Sequence, residues 1–121
     1  MRTELRQRFY FEAAHTLRRQ VDAAPSRRVH GHTYVAELTL CGEPDLTTGM
    51  LHDLGEVRRR IETVRQQLDH HLLDEVPGLG PATLENLCAW LWRAFEPHYG
   101  EQLAAIEVRR EASGDACRLS C

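Results

Sequence analysis

Apolar and polar residues alternate along two stretches in the first third of the chain. Residues 4–11 alternate loosely, and this pattern predicts a strand that ends over residues 12–15. Residues 16–29 are polar and rich in arginine, so we expect a loop there. The alternation from His30 to Cys41 is clean and predicts a second strand, one face of which carries His30, His32, Tyr34, Ala36, Leu38 and Leu40.

The middle of the chain has the three- and four-residue spacing of amphipathic helices. The first predicted helix spans residues 54–68, with an apolar stripe made of Leu54, Val57, Ile61, Val64 and Leu68. A second helix is predicted from its N-cap, Thr83, to about Pro97. Alternation over residues 104–108 and 116–120 predicts two more strands. Helices grouped between strand pairs indicate an α+β fold with a mainly antiparallel sheet.

Length and composition restrict the possible classes of protein. The 121 residues fit a single domain, 1–121, and 42% apolar residues suffice for a core. A net charge of -3 argues against a nucleic-acid partner. We expect no membrane span and no signal peptide, and therefore a cytoplasmic protein, because no long apolar run is present. The four cysteines form no C-x-x-C pair, which predicts free thiols.

Histidines are the first candidates for chemistry. His30 and His32 are two positions apart on a predicted strand, so both imidazoles point to one side, with Cα atoms about 6.5–7 Å apart. His15 ends the preceding strand and is the best candidate for a third ligand. Three histidines with one open position are typical of a catalytic zinc site. The alternative is that His30 and His32 are strand histidines that only hydrogen-bond their neighbours.

Two further positions carry acid groups that are suited to catalysis or binding. Asp69 precedes His70 just beyond the first helix, and such a pair can act in acid–base catalysis. The alternative is a helix C-terminus at which histidines complement the dipole. Glu111 follows a predicted strand, and its carboxylate could accept two parallel N–H groups from a ligand. Taken alone, Glu111 is an ordinary surface residue.

Six motifs occur in one order along nearly the whole chain. They are FEAAH (11–15), HGHTY (30–34), GMLHDL (49–54), LDHHLLD (68–74), ATLENLCAWLW (82–92) and VRREA (108–112). Each motif alone is weak, but the ordered set is specific. The sequence resembles the 6-pyruvoyl-tetrahydropterin synthase family, which includes the bacterial 6-carboxy-tetrahydropterin synthases of queuosine biosynthesis.

The resemblance implies a fold and an assembly. The family has the tunnelling fold (T-fold), in which an antiparallel four-stranded sheet carries two helices packed on one face. Sheets of several copies join into a barrel, so the resemblance implies a homo-oligomer, a tetramer or hexamer, with active sites at subunit interfaces.

The resemblance also implies a reaction and its residues. His15, His30 and His32 are then ligands of Zn²⁺, Asp69 and His70 form a proton-relay pair, and Glu111 anchors the pterin. The implied activity is a zinc-dependent lyase that converts 7,8-dihydroneopterin triphosphate to 6-carboxy-5,6,7,8-tetrahydropterin. We further expect Thr83, Arg27 and Arg28 to bind substrate, the arginines through its triphosphate. A solvated basic loop is the alternative for the arginines, which lie near Arg18 and Arg19.

Ser26 departs from the family pattern, which has a catalytic cysteine four residues before H-G-H. A serine hydroxyl ionises far less readily than a thiol, so Ser26 would need strong help to act as the base. Three interpretations stay open. The chain is an engineered Cys→Ser variant, a synthase whose base is His70 or a zinc-bound hydroxide, or a paralogue with altered chemistry. The alternative functions are 6-pyruvoyl-tetrahydropterin synthesis, an aldolase-like cleavage of the pterin side chain, pterin binding without turnover, and a zinc-buffering or structural role.

Overall fold

The centre of the molecule is a four-stranded antiparallel sheet in the computed structural model, which describes residues 1–121. Every strand pairs with its neighbour in the sequence, and the predicted α+β fold is therefore confirmed. The strands, which lie in this order across the sheet, are β1 (Thr3–His15), β2 (His30–Gly42), β3 (Leu103–Arg110) and β4 (Asp115–Ser120).

The pairing of β1 with β2 aligns their apolar faces over the full length of both strands. It runs from Thr3 opposite Gly42 to His15 opposite His30. Because side chains alternate along a strand, one face of the sheet is buried and the other is exposed. The buried face of these two strands carries Phe9, Phe11, Ala13, His15, Tyr34, Ala36 and Leu38.

Two helices cover this buried face, as the resemblance implied. They are α2 (Leu54–Arg65) and α3 (Leu84–Tyr99). Asp53 caps α2 by accepting the Gly55 N–H at 2.8 Å, and the predicted cap of α3 is confirmed, since the Thr83 hydroxyl accepts the Asn86 N–H at 3.1 Å. Fully burying each large apolar side chain stabilises the fold by about 1.5–3 kcal/mol. In α3 the buried side chains are Leu84, Leu87, Cys88, Leu91, Phe95 and Tyr99.

The chain after α2 runs beside the outer edge of β1. The regular helix ends at Arg65, earlier than predicted, and the residues up to Leu68 continue in hydrogen-bonded turns. His70 adopts a left-handed φ of 57°, which turns the chain. The His70 N–H then donates to the Glu12 carbonyl at 2.6 Å, and the Ala14 N–H donates to the His71 carbonyl at 3.1 Å. This pairing fixes the Asp69–His70 segment against β1.

The predicted loop over residues 16–29 contains a short helix, α1 (Ala23–Arg27). The alternation of apolar residues gave no signal for it, because its only buried side chain is that of Ser26. All four cysteines are free thiols, as predicted. No helix is long and apolar enough to cross a membrane.

Candidate metal centre and proton-relay pair

Three histidines converge where β1 ends and β2 begins, as the spacing predicted. His15 lies opposite His30 and Ala13 lies opposite His32, so the three imidazoles share the buried face of the sheet. The Nε2 atom of His15 lies 2.9 Å from Nε2 of His30 and 3.0 Å from Nε2 of His32. The His15 side chain is fully buried, and the other two are partly buried.

Backbone carbonyls orient two of these rings. The His15 Nδ1–H donates to the Ala82 carbonyl at 3.0 Å, and the His30 Nδ1–H donates to the Arg28 carbonyl at 2.7 Å. A carbonyl oxygen only accepts, so Nδ1 carries the proton in both neutral rings and Nε2 presents a lone pair. Metal-binding histidines typically donate their other ring N–H to a carbonyl or carboxylate in this way.

The cluster has the donor set of a transition-metal site. The Nε2 lone pairs of His15 and His30 face each other at 2.9 Å, and a cation placed between them would remove their repulsion. Nitrogen ligands about 2.0–2.1 Å from a tetrahedral zinc ion lie roughly 3.3 Å apart, close to the spacing here. Burial lowers the pKa of His15, and burial also lowers the pKa of His32 to about 4, so both rings stay neutral at physiological pH. The residues present fit a bound metal ion.

Arg110 lies close to this cluster on the same face of the sheet. The next cross-strand row after His32 carries Tyr34 on β2 and Arg110 at the end of β3. The Arg110 guanidinium bonds Asp115 at 3.0 Å, while its Nε–H is buried without a partner. Burial raises the pKa of Tyr34 to about 12, against the opposing charge of Arg110, so this phenol stays protonated.

Asp69 and His70 are in direct contact. The Asp69 Oδ2 atom lies 2.8 Å from His70 Nδ1, and its Oδ1 atom accepts the Glu12 N–H at 2.9 Å. Arg65 holds the same carboxylate at 3.2 Å. The Glu12 N–H lowers the pKa of Asp69 most, burial opposes it as the next largest effect, and His70 and Arg65 lower the pKa further. Asp69 is therefore a carboxylate that fixes the imidazole, which is the arrangement of an acid–base pair.

The pair and the histidine cluster are not bonded to each other within one chain. No hydrogen bond or ion pair joins Asp69 or His70 to any of the three clustered histidines. His70 lies against Glu12, whose side chain alternates to the face opposite His15. A cavity of about 520 Å³ at this edge of the sheet is lined by Glu12, Ala13, Ala14, Gly31, His32, Thr33, His70, His71 and Leu72.

The Ser26 hydroxyl is occupied by contacts within its own loop. Its Oγ–H donates to the Ala23 carbonyl at 2.8 Å, and the Oγ atom accepts the Arg19 N–H at 3.2 Å. The residue is only 2% exposed. These bonds tie α1 to the segment that follows β1, and no hydrogen bond links Ser26 to His15 or His70.

The expected substrate-binding residues are spread over three places. Arg27 and Arg28 are exposed and form no ion pair, as in the alternative of a solvated loop. A cavity of about 420 Å³ is instead lined by Arg18, Arg19 and Thr83 together with Thr16, Leu17, Asp74 and Pro81. Glu111 is exposed in the turn after β3, where its Oε1 atom lies 3.1 Å from Arg109 Nε.

Several contributors to the site were missed by reasoning from the sequence. The carbonyls of Ala82 and Arg28 carry no side-chain signal that a pattern could reveal. Glu12 was visible within FEAAH, and alternation alone placed it on the face opposite His15. Its contact with His70 depends on the turn after α2, which no periodicity predicts.

Comparison with known proteins agrees with the fold and the motifs. The family model of 6-pyruvoyl tetrahydropterin synthase matches residues 4–120. The 6-carboxy-5,6,7,8-tetrahydropterin synthase of Synechocystis sp. is 30% identical over 105 residues, which cover 83% of this chain and 80% of that protein. The solved 6-pyruvoyl tetrahydropterin synthase of Caenorhabditis elegans superposes with a TM-score of 0.84 at 20% identity, covering 100% of this chain and 96% of that one.

Animal relatives match over a shorter region. The Drosophila melanogaster 6-pyruvoyl tetrahydrobiopterin synthase is 42% identical over 67 residues, which cover 52% of this chain and 40% of that protein. The human protein of the same name is 37% identical over 67 residues, 46% of its length. The aligned region thus spans less than half of these two relatives. Since the family model and the Synechocystis alignment cover most of this chain, it belongs to the 6-pyruvoyl tetrahydropterin synthase family.

Proposed function

We propose that this protein is a metal-dependent lyase that acts on the side chain of 7,8-dihydroneopterin triphosphate. The observation that carries this proposal is the convergence of three Nε2 atoms, two of them held as lone-pair donors, on a fold of the pterin synthase family. The proposed product is 6-carboxy-5,6,7,8-tetrahydropterin. This choice rests on the Synechocystis relative, whose alignment covers far more of both chains than the animal ones do.

The proposed metal ligands are His15, His30 and His32, and the proposed ion is Zn²⁺, which suits neutral imidazoles with one open position. When bound, zinc supplies Lewis acidity to the pterin side-chain hydroxyls and so acidifies the adjacent C–H bonds. His70 takes the released proton on Nε2, because its Nδ1–H is already donated to Asp69. Asp69 holds the ring and stabilises the imidazolium that forms.

Binding of the substrate is assigned to three groups. We propose that Glu111 grips the pterin through two parallel hydrogen bonds to its 2-amino and N3 positions. Arg27 and Arg28 remain candidates for the triphosphate, and the cavity beside Thr83 adds Arg18 and Arg19 to them. Because Arg109 also contacts the Glu111 carboxylate, the pterin would have to compete with this ion pair.

The base in this chain is proposed to be His70 rather than Ser26. The Ser26 hydroxyl already donates to a carbonyl and is buried. It could therefore accept a proton from the substrate only if its loop opened. Ser26→Cys tests the alternative. A large rise in turnover would indicate that the chain is a synthase weakened by loss of the thiol, whereas unchanged turnover supports His70 as the base.

The decisive experiment is incubation of the zinc-loaded protein with 7,8-dihydroneopterin triphosphate, with the products identified by mass spectrometry. A 6-carboxy product supports the proposal. A 6-pyruvoyl product or an aldolase-like cleavage product identifies another branch of the family instead. Glu111→Gln is the matched binding control, because it keeps the shape of the side chain and removes the charge that holds the pterin.

A second candidate function is a pterin-binding protein that has lost turnover. The absence of the family's thiol, together with the buried and bonded state of Ser26, favours it. This candidate predicts substrate that is bound by the zinc-loaded protein, recovered unchanged, and released by Glu111→Gln. A protein that only stores zinc would bind no pterin at all.

We also propose that the working form is a homo-oligomer, a tetramer or hexamer, with active sites between subunits. Two observations support this: no hydrogen bond joins the pair to the histidine cluster in one chain, and the outer face of the sheet exposes 64% of Tyr10. We propose a cytoplasmic location and no nucleic-acid partner, the latter on the net charge of -3.

A further inference from the structure

Glu12 contacts the Asp69–His70 pair through its backbone and its side chain. Its N–H donates to Asp69 Oδ1 at 2.9 Å, and its carbonyl accepts the His70 N–H at 2.6 Å. Its carboxylate Oε2 atom lies 3.9 Å from His70 Nε2. Glu12 therefore both fixes the backbone of the pair and places a charge beside the imidazole.

The two carboxylates face different nitrogens of the His70 ring. The Asp69 Oδ2 atom lies 2.8 Å from Nδ1, a hydrogen-bond distance, so Nδ1 donates to it. The Glu12 carboxylate faces Nε2 from 3.9 Å, which is too long for a hydrogen bond but within ion-pair range. Nε2 thus stays free to accept a proton, and Glu12 attracts the ring only once that proton has arrived.

No arginine neutralises Glu12, whereas each of the other glutamates on the strands has an arginine partner. Glu4 pairs with Arg6, Glu37 with Arg8, and Glu107 with Arg109 and Arg118. The only other side chain that bonds the Glu12 carboxylate is Thr33, whose hydroxyl donates to Oε1 at 3.3 Å.

Two other titratable or charged residues near His70, Arg65 and His71, are engaged elsewhere. Arg65 contacts Asp69 at 3.2 Å, Glu62 at 3.3 Å and the Tyr10 carbonyl at 2.6 Å. The ring of His71 turns away to the Asp69 carbonyl, which its Nδ1 contacts at 2.8 Å. The charge of Glu12 is therefore left to act on His70.

We propose that Glu12 is a positioning residue for the proton-relay pair: it holds Asp69 and His70 against β1 and stabilises His70 after Nε2 has accepted a proton. This inference rests on the proposed function for its role in turnover. The step is balanced, since one proton passes from the substrate carbon to Nε2 and the electron pair of the broken C–H bond stays on the substrate. Glu12 itself gains and loses nothing.

The first test needs no substrate and uses the zinc-loaded protein. The ratio of protonated to neutral His70 is read at one fixed pH from the ring ¹⁵N chemical shifts, for the wild type and for Glu12→Gln. Gln keeps the shape and the backbone contacts, so only the charge is lost. Exposed ion pairs are weak, and we expect the ratio to fall about two- to fivefold.

Glu4→Gln is the matched control, because Glu4 lies on the same strand and the same face, roughly 26 Å from Glu12 and beyond the Debye length. We expect it to leave the ratio unchanged. Raising the salt concentration should shrink the difference between Glu12→Gln and the wild type, since salt screens exposed charges. Equal ratios in all three proteins, or a difference that salt does not alter, would overturn the proposal.

Turnover provides the second test. With 7,8-dihydroneopterin triphosphate, we expect Glu12→Gln to lower kcat by about the same two- to fivefold while KM stays unchanged, and Glu12→Asp to recover part of the loss. A wild type that converts no substrate refutes the proposed function but not the charge effect on His70, which the ¹⁵N shifts decide. If the wild type is active and Glu12→Gln turns over as fast, the role of Glu12 is refuted while the proposed function stands.

Discussion

The fold keeps His15 and His32 neutral, and this makes the metal-free protein less stable at acid pH. An unfolded chain takes up a proton on each ring below about pH 6.5, whereas the folded, metal-free chain resists until lower pH, about 4 for His32. The contribution of the two neutral histidines to the free energy of unfolding is therefore fully present above pH 6.5 and is lost as the pH falls. Because His32 is only partly buried, solvent screens part of this effect, and we expect the metal-free protein to lose about 1–2 kcal/mol of unfolding free energy through His32 between pH 7 and pH 4.5.

Urea denaturation at the two pH values measures this effect. The matched variant is His32→Gln, which keeps a polar side chain of similar length but cannot titrate. Its unfolding free energy should depend less on pH than that of the wild type. The same pH dependence in both proteins would show that His32 is not the group responsible.

Removal of one ligand should abolish tight metal binding. His32 is only partly buried, so His32→Ala should fold, unlike a change at the fully buried His15. Because loss of a ligand's hydrogen-bond partner alone weakens metal binding about 10–100-fold, we expect loss of a ligand in His32→Ala to weaken zinc affinity by more than about 100-fold. Zinc should raise the Tm of the wild type, since it binds only the folded state, and should leave His32→Ala unaffected. Isothermal titration with zinc and thermal melts with a chelator check this.

Helix α3 connects the stability of the fold to the metal centre. Its N-cap is Thr83, and the preceding residue, Ala82, supplies the carbonyl that orients His15. Thr83→Ala leaves the Asn86 N–H without its partner, and we expect a loss of about 1 kcal/mol of unfolding free energy. Thr83→Ser keeps the hydroxyl and should retain the stability. Urea denaturation compares the two, and pterin binding by Thr83→Ala relative to Thr83→Ser tests separately whether the hydroxyl contacts substrate.

The sequence predicted the elements of the fold well because each long element has a strong period. The clean alternation from His30 and the stripe ending at Leu68 both mark residues that are buried in the structure. Boundaries were less accurate: the regular part of α2 ends at Arg65, because the last turns tighten while Leu68 still packs into the core. α1 was missed, since its one buried side chain leaves no periodic trace.

The candidate site was predictable only in part. The strand spacing of His30 and His32 fixes their direction, and antiparallel pairing of two adjacent strands brings His15 opposite His30. The location of Asp69 and His70 was not predictable from periodicity, because it depends on a left-handed turn at His70 and on pairing with Glu12. The engaged hydroxyl of Ser26 likewise follows from α1 and not from its position before H-G-H.

At the scale of the molecule, the histidine cluster and the Asp69–His70 pair are not bonded to each other within one chain, although His32 and His70 line the same cavity. The histidine cluster opens on the helix-covered face of β1 and β2, and the Asp69–His70 pair lies against the opposite side of β1 through Glu12. In the proposed closed oligomer both groups would recur at every subunit boundary, so that the pair of one copy could meet the cluster of the next. This arrangement would satisfy the chemistry that a single chain leaves divided.

Mixing two inactive variants tests whether sites are shared between copies. His32→Ala disables the cluster and Asp69→Asn disables the pair, so each homo-oligomer should be inactive. After joint refolding at equal amounts, a site built from two copies has both groups intact about a quarter of the time, and we expect about a quarter of the wild-type turnover. If each chain completes its own site, the mixture stays inactive. Joint refolding of wild type with the double variant controls for assembly, and size-exclusion chromatography with light scattering gives the number of copies.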